Sequence, residues 1–337
     1  MVQSSAQKDR RVRLRLFTEA DTIISINTDE DEDYQLAVGF QVTMSTTRQT
    51  NRANIQVAGL NRATRAQIAG VINGVTDLTN TFITLPGQDP PIVFGSTLFP
   101  SGIAKDETIR NGHAWVELDV GYSPEKMSRV FEGSSHWARH QKVGPLWTTQ
   151  LDVGDGLSTR LGGVTSRTFD PGATLFEAVE YCVRSMGVGR GNLTRDTFKA
   201  AYGGNRSLTL PVGQTVEGDS VPALNALLAG SRVEWWIDRG DFWIVEKGKP
   251  LDSNPIEVAL GLEGGLRFDP QPVEGGGVML NMWLRPDARI GRRIRVDANI
   301  LSGEYRLETV THRGNNLQGD YQTVAIARKV ETVPGVF

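Results

Sequence analysis

The sequence predicts an α+β fold that is predominantly β, with a smaller α/β region between two β-rich regions. Strand-like alternation of apolar and polar residues recurs in the first and last parts of the chain, whereas most helical spacing falls in the middle. Clusters of Gly, Pro, Asn and Asp separate these patterns, as turns do. The expected domains are residues 1–156, residues 157–250 and residues 251–337.

Length and composition are those of a globular chain. At 337 residues the protein can bury a large core, and domain-size statistics favour two or three domains. Its net charge of -3 provides no global attraction to nucleic acid or to an anionic membrane. No apolar run approaches the ~20 residues of a membrane span and the first residues lack a signal-peptide pattern, so we expect no membrane span and a cytosol-like compartment. The single cysteine, Cys182, excludes an intrachain disulfide and is expected in the core.

The first region begins with a predicted strand. Residues 12–17 alternate apolar with charged side chains, and residues 20–26 are expected to continue this strand or to pair with it. A strand, a polar turn, a second strand and a helix follow within residues 34–70, with Asn61 as a candidate helix cap. Residues 73–111 are rich in Pro, Gly, Thr and Asn, which predicts an insertion. Strand patterns resume after it and continue to the end of the region.

The middle region predicts two helices followed by a β-hairpin. Apolar spacing predicts one helix over residues 170–187, beginning at an Asp-Pro pair, and a second over residues 220–228. Turn residues then separate strand patterns at residues 233–237 and 242–245, which favours a hairpin.

The last region contains a strand, a tight turn and a second strand. Ile294 and Val296 fall on one face of the first strand, while Arg293, Arg295 and Asp297 fall on the other, as a half-buried strand requires. The strand that follows is less cleanly two-sided, which is expected where both faces contact protein. This pattern is typical of a scaffold.

No constellation of residues indicates catalysis. His136 and His140 are four apart, but no HExxH motif accompanies them and the surrounding pattern favours a strand, so surface or interface histidines are preferred to a metal site. Asp152 and Asp155 lie beside a glycine-containing turn, which explains them better than acid catalysis. We therefore expect no enzyme activity, no cofactor and no metal.

Several segments in this order resemble a known family. They are NRANIQVAGLNRATRAQI at residues 51–68, VFEGSSHWARHQKVGPLWTTQLDVGDG at residues 130–156, the helical opening of the middle region, and the ending from residue 277 to residue 328. Together they resemble a baseplate hub protein of contractile or related tailed bacteriophages, a family that also occurs in phage-derived injection machines.

The resemblance implies two tail-tube-like β-barrel domains that frame the α/β domain. Hub proteins of this family assemble as homotrimers whose six barrel domains mimic the hexameric tail tube, so that one ring joins a six-fold tube to a three-fold central spike. Identical contacts cannot make that join, because closed symmetry requires equivalent patches on every subunit. The implied location is the tail baseplate of the virion after assembly in the bacterial host cytoplasm. The implied partners are the tail tube protein, the central spike protein, other baseplate proteins and, transiently, phage DNA.

Charged residues acquire candidate roles from this resemblance. An acidic run is ordinarily a solvated loop, but here it is a candidate lumen-facing loop that repels DNA phosphates; it comprises Asp29, Glu30, Asp31, Glu32 and Asp33. Four arginines are candidate interface residues, because guanidinium groups suit the carboxylates of a neighbouring subunit; they are Arg13, Arg15, Arg293 and Arg295. Specific nucleic-acid binding is not expected, since no basic patch is interleaved with aromatic residues.

Three tryptophans lie on the predicted hairpin. Because Trp235 and Trp236 are adjacent, they point to opposite faces of the strand, and at least one ring is buried against something outside that sheet. A core formed with the middle helices, together with a docked domain, explains both faces. The alternative is that these two residues and Trp243 anchor an interface between subunits.

Two other functions remain open at this point. A peptidoglycan-degrading tail enzyme is one, although the chain has no spare domain for a lytic activity. A six-fold distal tail or tube-terminating protein is the other. Two tube-like domains per chain predict three copies in the ring, whereas one predicts six.

Overall fold

The computed structural model describes residues 10–17, 22–28, 36–47, 51–73, 82–83, 92–93, 114–123, 127–155, 163–203 and 208–330. Within them the chain is mostly β, as predicted. The strands of the first region are β1 (Arg11–Phe17), β2 (Thr22–Asn27), β3 (Ala37–Ser45), β4 (Arg52–Ala58), β5 (Phe82–Ile83), β6 (Ile92–Val93), β7 (Trp115–Gly121), β8 (Ser128–Val143) and β9 (Leu146–Gly154). Those of the middle region are β10 (Val164–Phe169), β11 (Gln214–Asp219), β12 (Val233–Asp238) and β13 (Asp241–Glu246).

The remaining strands and the helices complete the described chain. The strands of the last region are β14 (Ile256–Leu260), β15 (Gly265–Leu266), β16 (Gln271–Val273), β17 (Gly277–Trp283), β18 (Arg293–Asp297), β19 (Gly303–Asn315) and β20 (Tyr321–Lys329). The helices are α1 (Arg62–Asn73), α2 (Leu175–Ser185), α3 (Arg195–Tyr202) and α4 (Ser220–Leu227).

Six strands of the last region close into a β-barrel. Their order around the barrel is β14, β18, β19, β20, β17 and β15, and β15 pairs with β14 again. The alternation predicted for β18 is confirmed, since Ile294 and Val296 are buried while Arg295 and Asp297 are exposed. The strand after it, β19, has an irregular register between Leu307 and Thr309, a β-bulge that explains why its two faces are hard to separate in the sequence.

Seven strands of the first region form a sheet that continues from this barrel. Their order is β3, β4, β9, β8, β7, β1 and β2, and β3 pairs with β19, so barrel and sheet belong to one fourteen-stranded sheet. The sheet also returns to the barrel at its far side, where the hydroxyl of Tyr321 lies 2.7 Å from the carbonyl oxygen of Arg11 and 2.8 Å from that of Gly121. The first region therefore contacts the barrel on two sides.

The helix of the first region begins where the sequence predicts. The side-chain oxygen of Asn61 accepts a hydrogen bond of 2.9 Å from the backbone N–H of Thr64, which satisfies one of the free N–H groups at the start of α1. Most of the predicted insertion at residues 73–111 lies outside the described residues. Within it, β5 and β6 pair as a short antiparallel ladder.

The middle region corrects two expectations about its helices. The predicted start of the first helix at residue 170 is wrong, because α2 begins at Leu175 with Thr174 as its cap, and the side chain of Thr174 accepts from the N–H of Glu177. Helix α3 was not predicted. It is short, and Phe198 and Ala201 are the buried residues that it contributes, so its apolar stripe is too brief to be recognised as periodic.

The described part of the chain contains two separate hydrophobic cores. One extends through the sheet and barrel, which we call the β body, and the other lies between the middle helices and the β12–β13 hairpin. The second core falls within residues 157–250, although the domain boundaries themselves stay a prediction. Among the described residues, no helix has the length and hydropathy of a membrane-spanning segment.

Candidate functional site: the junction and the assembly surfaces

The β12 strand joins the middle region to the β body through one of its faces. Val233, Trp235 and Ile237 belong to the core of the middle region, while Trp236 belongs to the core of the β body. The residues on the same face as Trp236 are Glu234 and Asp238, since they alternate with the first set. We call the contacts of this face and of the turn after it the junction.

At one end of the junction, a buried carboxylate holds the turn between β12 and β13. The oxygens of Asp155, at the end of β9, accept hydrogen bonds from the backbone N–H groups of Arg239 at 2.6 Å and Gly240 at 2.9 Å. The side chain of Asn51 donates to the carbonyl of Ile237 at 2.9 Å and, through its oxygen, accepts from the N–H of Ser45. The first region therefore binds the turn through both the carboxylate of Asp155 and the side-chain amide of Asn51.

The last region contributes a cation to the same place. Arg289 forms an ion pair with Asp238, whose side chain is buried, and its Nε lies 3.0 Å from the same carboxylate oxygen. The N–H of Trp243 donates to the backbone carbonyl of Asp238, and the Arg289 guanidinium lies 5.7 Å from the centre of the Trp243 ring. Three parts of the chain thus meet at one turn.

Burial shifts the ionisation of several junction groups. Burial, followed by the negative charge of Asp238, raises the pKa of Asp155 to about 7, although its two N–H partners and Asn51 favour the charged form. Burial, followed by the charge of Arg289, lowers the pKa of Arg239 to about 10. Arg239 also has a positive φ of 57°, which is uncommon for a residue with a side chain.

The other end of the junction contains an almost fully buried arginine. Arg306 on β19 has its Nη2 atom 2.6 Å from a carboxylate oxygen of Glu234, but the two groups are not aligned as a hydrogen bond, so the attraction is Coulombic. Its guanidinium lies 6.0 Å from the centre of the Trp236 ring. A buried ion pair of this kind stabilises little by itself, but removing one member leaves a buried charge.

The three candidate interface tryptophans lie at the junction and in the cores. Trp235 and Trp236 point to opposite faces as the sequence predicts, and each is only 1% exposed. Trp235 stacks on Phe242 and donates to Asn225. In this conformation these two rings offer no surface to another subunit, and packing within the chain accounts for them. Trp243 is only partly buried, and its interface role stays a prediction.

The candidate arginines of β1 differ in their contacts. Arg15 forms an ion pair with Glu117 on the neighbouring strand, and Arg129 binds the same carboxylate at 2.8 Å. Arg129 also contacts Asp119 at 2.6 Å and Glu132 at 3.0 Å. Burial alone lowers the pKa of Arg129, but these three carboxylates raise it above its usual value. The carboxylate for Arg15 is therefore supplied within the chain, and an interface role of Arg13 stays a prediction.

The candidate arginines of β18 also have partners within the chain. Arg293 lies 3.3 Å from a carboxylate oxygen of Glu304, and Arg295 lies 2.7 Å from the other oxygen. Arg295 also pairs with Glu257 at 3.2 Å. Arg295 and Glu257 are exposed, whereas Arg293 and Glu304 are partly buried. Solvent still screens each pair, so each contributes little to stability.

The remaining candidates are divided between described and undescribed residues. The acidic run at residues 29–33 lies outside the described residues, between β2 and β3, and its lumen role stays a prediction. His140 lies on β8, with its Nδ1 2.9 Å from the hydroxyl of Thr149, and burial followed by the charge of Arg65 lowers its pKa to about 4. In the described part of the chain, no group of three or more His, Cys, Asp or Glu side chains is placed to hold a metal ion.

Sequence reasoning did not find the junction. Asp155 was interpreted as a turn residue, which is locally correct, but its oxygens bind the turn of another region. The sequence signal was the run of Asp238, Arg239, Gly240 and Asp241, in which charged residues interrupt an otherwise apolar hairpin. That signal indicates the turn without indicating its partner.

The fold is similar to those of two tail proteins of known structure, one of which comes from a prophage. No protein-family model and no curated protein sequence matches the chain. The 43 kDa tail protein of prophage MuSo2 from Shewanella oneidensis superposes with a TM-score of 0.54 at 11% identity, covering 94% of this chain and 96% of that one. A tail protein from Neisseria meningitidis superposes with a TM-score of 0.52 at 11% identity over the same shares. The resemblance to phage tail proteins is therefore confirmed at the level of the fold, and the chain has the fold of a phage tail protein.

Proposed function

We propose that the chain is a non-enzymatic baseplate hub that joins a six-fold tail tube to a three-fold central spike and lines the channel for DNA. The observation that carries this proposal is the likeness of fold to two tail proteins over nearly the whole of each chain. The continuous fourteen-stranded sheet supports it, because a ring wall built from two β regions per subunit needs both regions held rigidly edge to edge. In the proposed homotrimer the two β regions of each chain supply six wall segments.

The symmetry of the assembled ring tests this proposal. Native mass spectrometry of the purified protein, with averaged electron images of the ring, is expected to give three copies and a quasi-six-fold face. A monomer at every concentration, or a ring with a number of copies other than three, contradicts the hub. Reconstitution with purified tube and spike proteins then checks that the ring binds one on each side.

A six-fold tail protein is the second candidate. One observation favours it: within the described residues, the last region closes into a barrel, whereas the first region is a sheet whose outer strand β2 pairs with β1 alone. If that closed barrel is the single tube-like unit, the ring contains six copies. The same mass measurement separates the two candidates.

The acidic run gives the channel proposal its own test. Negative charge on a lumen wall repels DNA phosphates and lets DNA pass without binding. A variant with Asn or Gln at positions 29–33 is expected to assemble normally and to slow DNA ejection from the particle. An unchanged ejection rate, with normal assembly, contradicts the lumen role while leaving the hub intact.

A further inference from the structure

An exposed apolar surface lies at the tip of the hairpin formed by β8 and β9. Val143 and Leu146 are directly opposite each other in the register, so their side chains leave the same face, and they are 55% and 53% exposed. Two exposed cations lie nearby: Arg139 is on the same face, four residues before Val143, and Lys142 is next to Val143 on the opposite face of the strand. We call Val143, Leu146 and these two cations the hairpin tip.

A second exposed apolar surface lies at one end of the barrel. Leu262, Phe268 and Ile300 are 45%, 57% and 73% exposed. The loops that carry Leu262 and Ile300 leave the same end of the parallel β14–β18 pair, where Ala259 is opposite Asp297.

Hydrogen bonds hold the loops of this surface together. Asn299 donates its backbone N–H to Asp269 at 3.1 Å and its side-chain amide at 3.3 Å, which fixes the loop of Ile300 beside that of Phe268. Glu263 and Asp297 are exposed beside it, and the guanidinium of the partly buried Arg267 lies 5.6 Å from the centre of the Phe268 ring. The edge of this surface therefore carries two exposed carboxylates and one cation and is acidic on balance. We call it the barrel end.

The hairpin tip and the barrel end lie toward opposite ends of β19. The register across the sheet places Asn315, at the last position of β19, in line with Gly39, Gln56, Gln150 and Arg139. The barrel end lies near the first residue of β19, where Gly303 is opposite Val296. A strand of this length spans up to ~40 Å, so the two surfaces of one chain do not cover each other.

We propose that the hairpin tip of one copy docks on the barrel end of the next copy, so that copies join head to tail. The cationic rim of the tip complements the acidic rim of the barrel end, and the apolar centres of both are removed from water. Two different patches that meet in this way make a heterologous contact, which closes into a ring when the rotation allows it. The proposal rests on the proposed function, because the hub requires such a ring.

Two single variants and their mixture test the docking. Leu146→Asp breaks the tip and Ile300→Asp breaks the barrel end, and each alone is expected to raise the dissociation constant of the ring at least about 30-fold. In a 1:1 mixture, the intact tip of one variant still fits the intact barrel end of the other. Native mass spectrometry is therefore expected to find a mixed dimer that does not close.

A matched variant controls for the added charge. Val212 is 71% exposed in the middle region, so Val212→Asp is expected to leave the ring unchanged. Far-ultraviolet circular dichroism and thermal melts check that each variant folds, as expected for exposed positions. If both variants form the same ring as the wild-type protein, or if their mixture forms a closed ring, the docking proposal is wrong and the hub proposal still stands. A wild-type protein that stays monomeric overturns the hub as well.

Discussion

The β body and the middle region are held together in different ways. The β body is one continuous sheet, so its stability is distributed over many ladders and a core that extends from β1 to β20. The middle region has a small core of its own and attaches through the junction, where one face of β12 carries Glu234, Trp236 and Asp238. A small number of side chains therefore decides how firmly the middle region is fixed, and variants at the junction separate attachment from folding.

The largest effects are expected from the two adjacent tryptophans. Trp236→Ala removes a buried ring from the β body and Trp235→Ala removes one from the middle core, and each is expected to cost about 3–5 kcal/mol of unfolding free energy. Hydrogen exchange distinguishes them. Trp235→Ala should reduce amide protection within the middle region, whereas Trp236→Ala should also reduce it along β18 and β19.

Gly291 provides a second way to disturb the same contact. A Cβ atom at this position would lie 2.5 Å from the Trp236 ring, and the φ of 79° is unfavourable for other residues. Gly291→Ala should therefore reproduce the hydrogen-exchange pattern of Trp236→Ala.

Identical hydrogen-exchange patterns for the Trp235 and Trp236 variants would show that the two cores unfold as one unit.

Local sequence patterns predicted the secondary structure of the two regions better than they predicted how the regions attach to each other. Alternation predicted the faces of β18 and the opposite directions of Trp235 and Trp236, because each depends on neighbouring residues. The pairing of β3 with β19 and the bond from Asp155 to the β12–β13 turn depend on residues far apart in the chain. No periodicity encodes such contacts, so the junction became visible only in three dimensions.

The next effect concerns the cation of the junction. Arg289→Ala leaves the buried Asp238 without its ion pair and is expected to cost about 1.5–3 kcal/mol, as for hydrogen bonds to charged groups. Urea denaturation measures the loss. Arg285→Ala is the matched control, because Arg285 pairs with the exposed Asp287 and should cost less than about 1 kcal/mol. Equal costs would mean that burial does not strengthen the junction.

The junction should also respond to pH. The pKa of Asp155 is about 7 in the folded chain against ~3.9 in the unfolded chain. Between these two pH values the folded state holds a proton that the unfolded state has lost. This group therefore favours folding less as pH rises from about 4 to 7, with a slope of up to about 1.4 kcal/mol per pH unit. Asp155→Asn should remove that contribution, and denaturation at several pH values measures it.

Two histidines act in the opposite direction over the same range. Burial is the largest cause that lowers the pKa of His312, and likewise that of His140, each to about 4. As pH falls, both histidines bind protons in the unfolded state before they do so in the folded state. Their contribution to stability is therefore lost as pH falls from about 6.5 to 4. Asp155→Asn should therefore make acidification more destabilising than in the wild-type chain. An unchanged pH profile would mean that Asp155 is ionised throughout, as its two N–H partners favour.

The smallest effect on stability is expected for a side chain on the surface of the barrel, away from the junction. Arg295→Ala should leave the unfolding midpoint unchanged, because Arg295 and Glu257 are exposed and Glu304 is only partly buried, so solvent screens both pairs. The assembly of the ring should also be unchanged if these carboxylates satisfy the guanidinium within the chain. Arg129→Ala is the contrasting variant, since three carboxylates converge on that half-buried side chain and its loss should lower the midpoint. A ring weakened by Arg295→Ala at an unchanged midpoint would instead place Arg295 at the subunit interface, because only a contact made after folding changes assembly without changing stability.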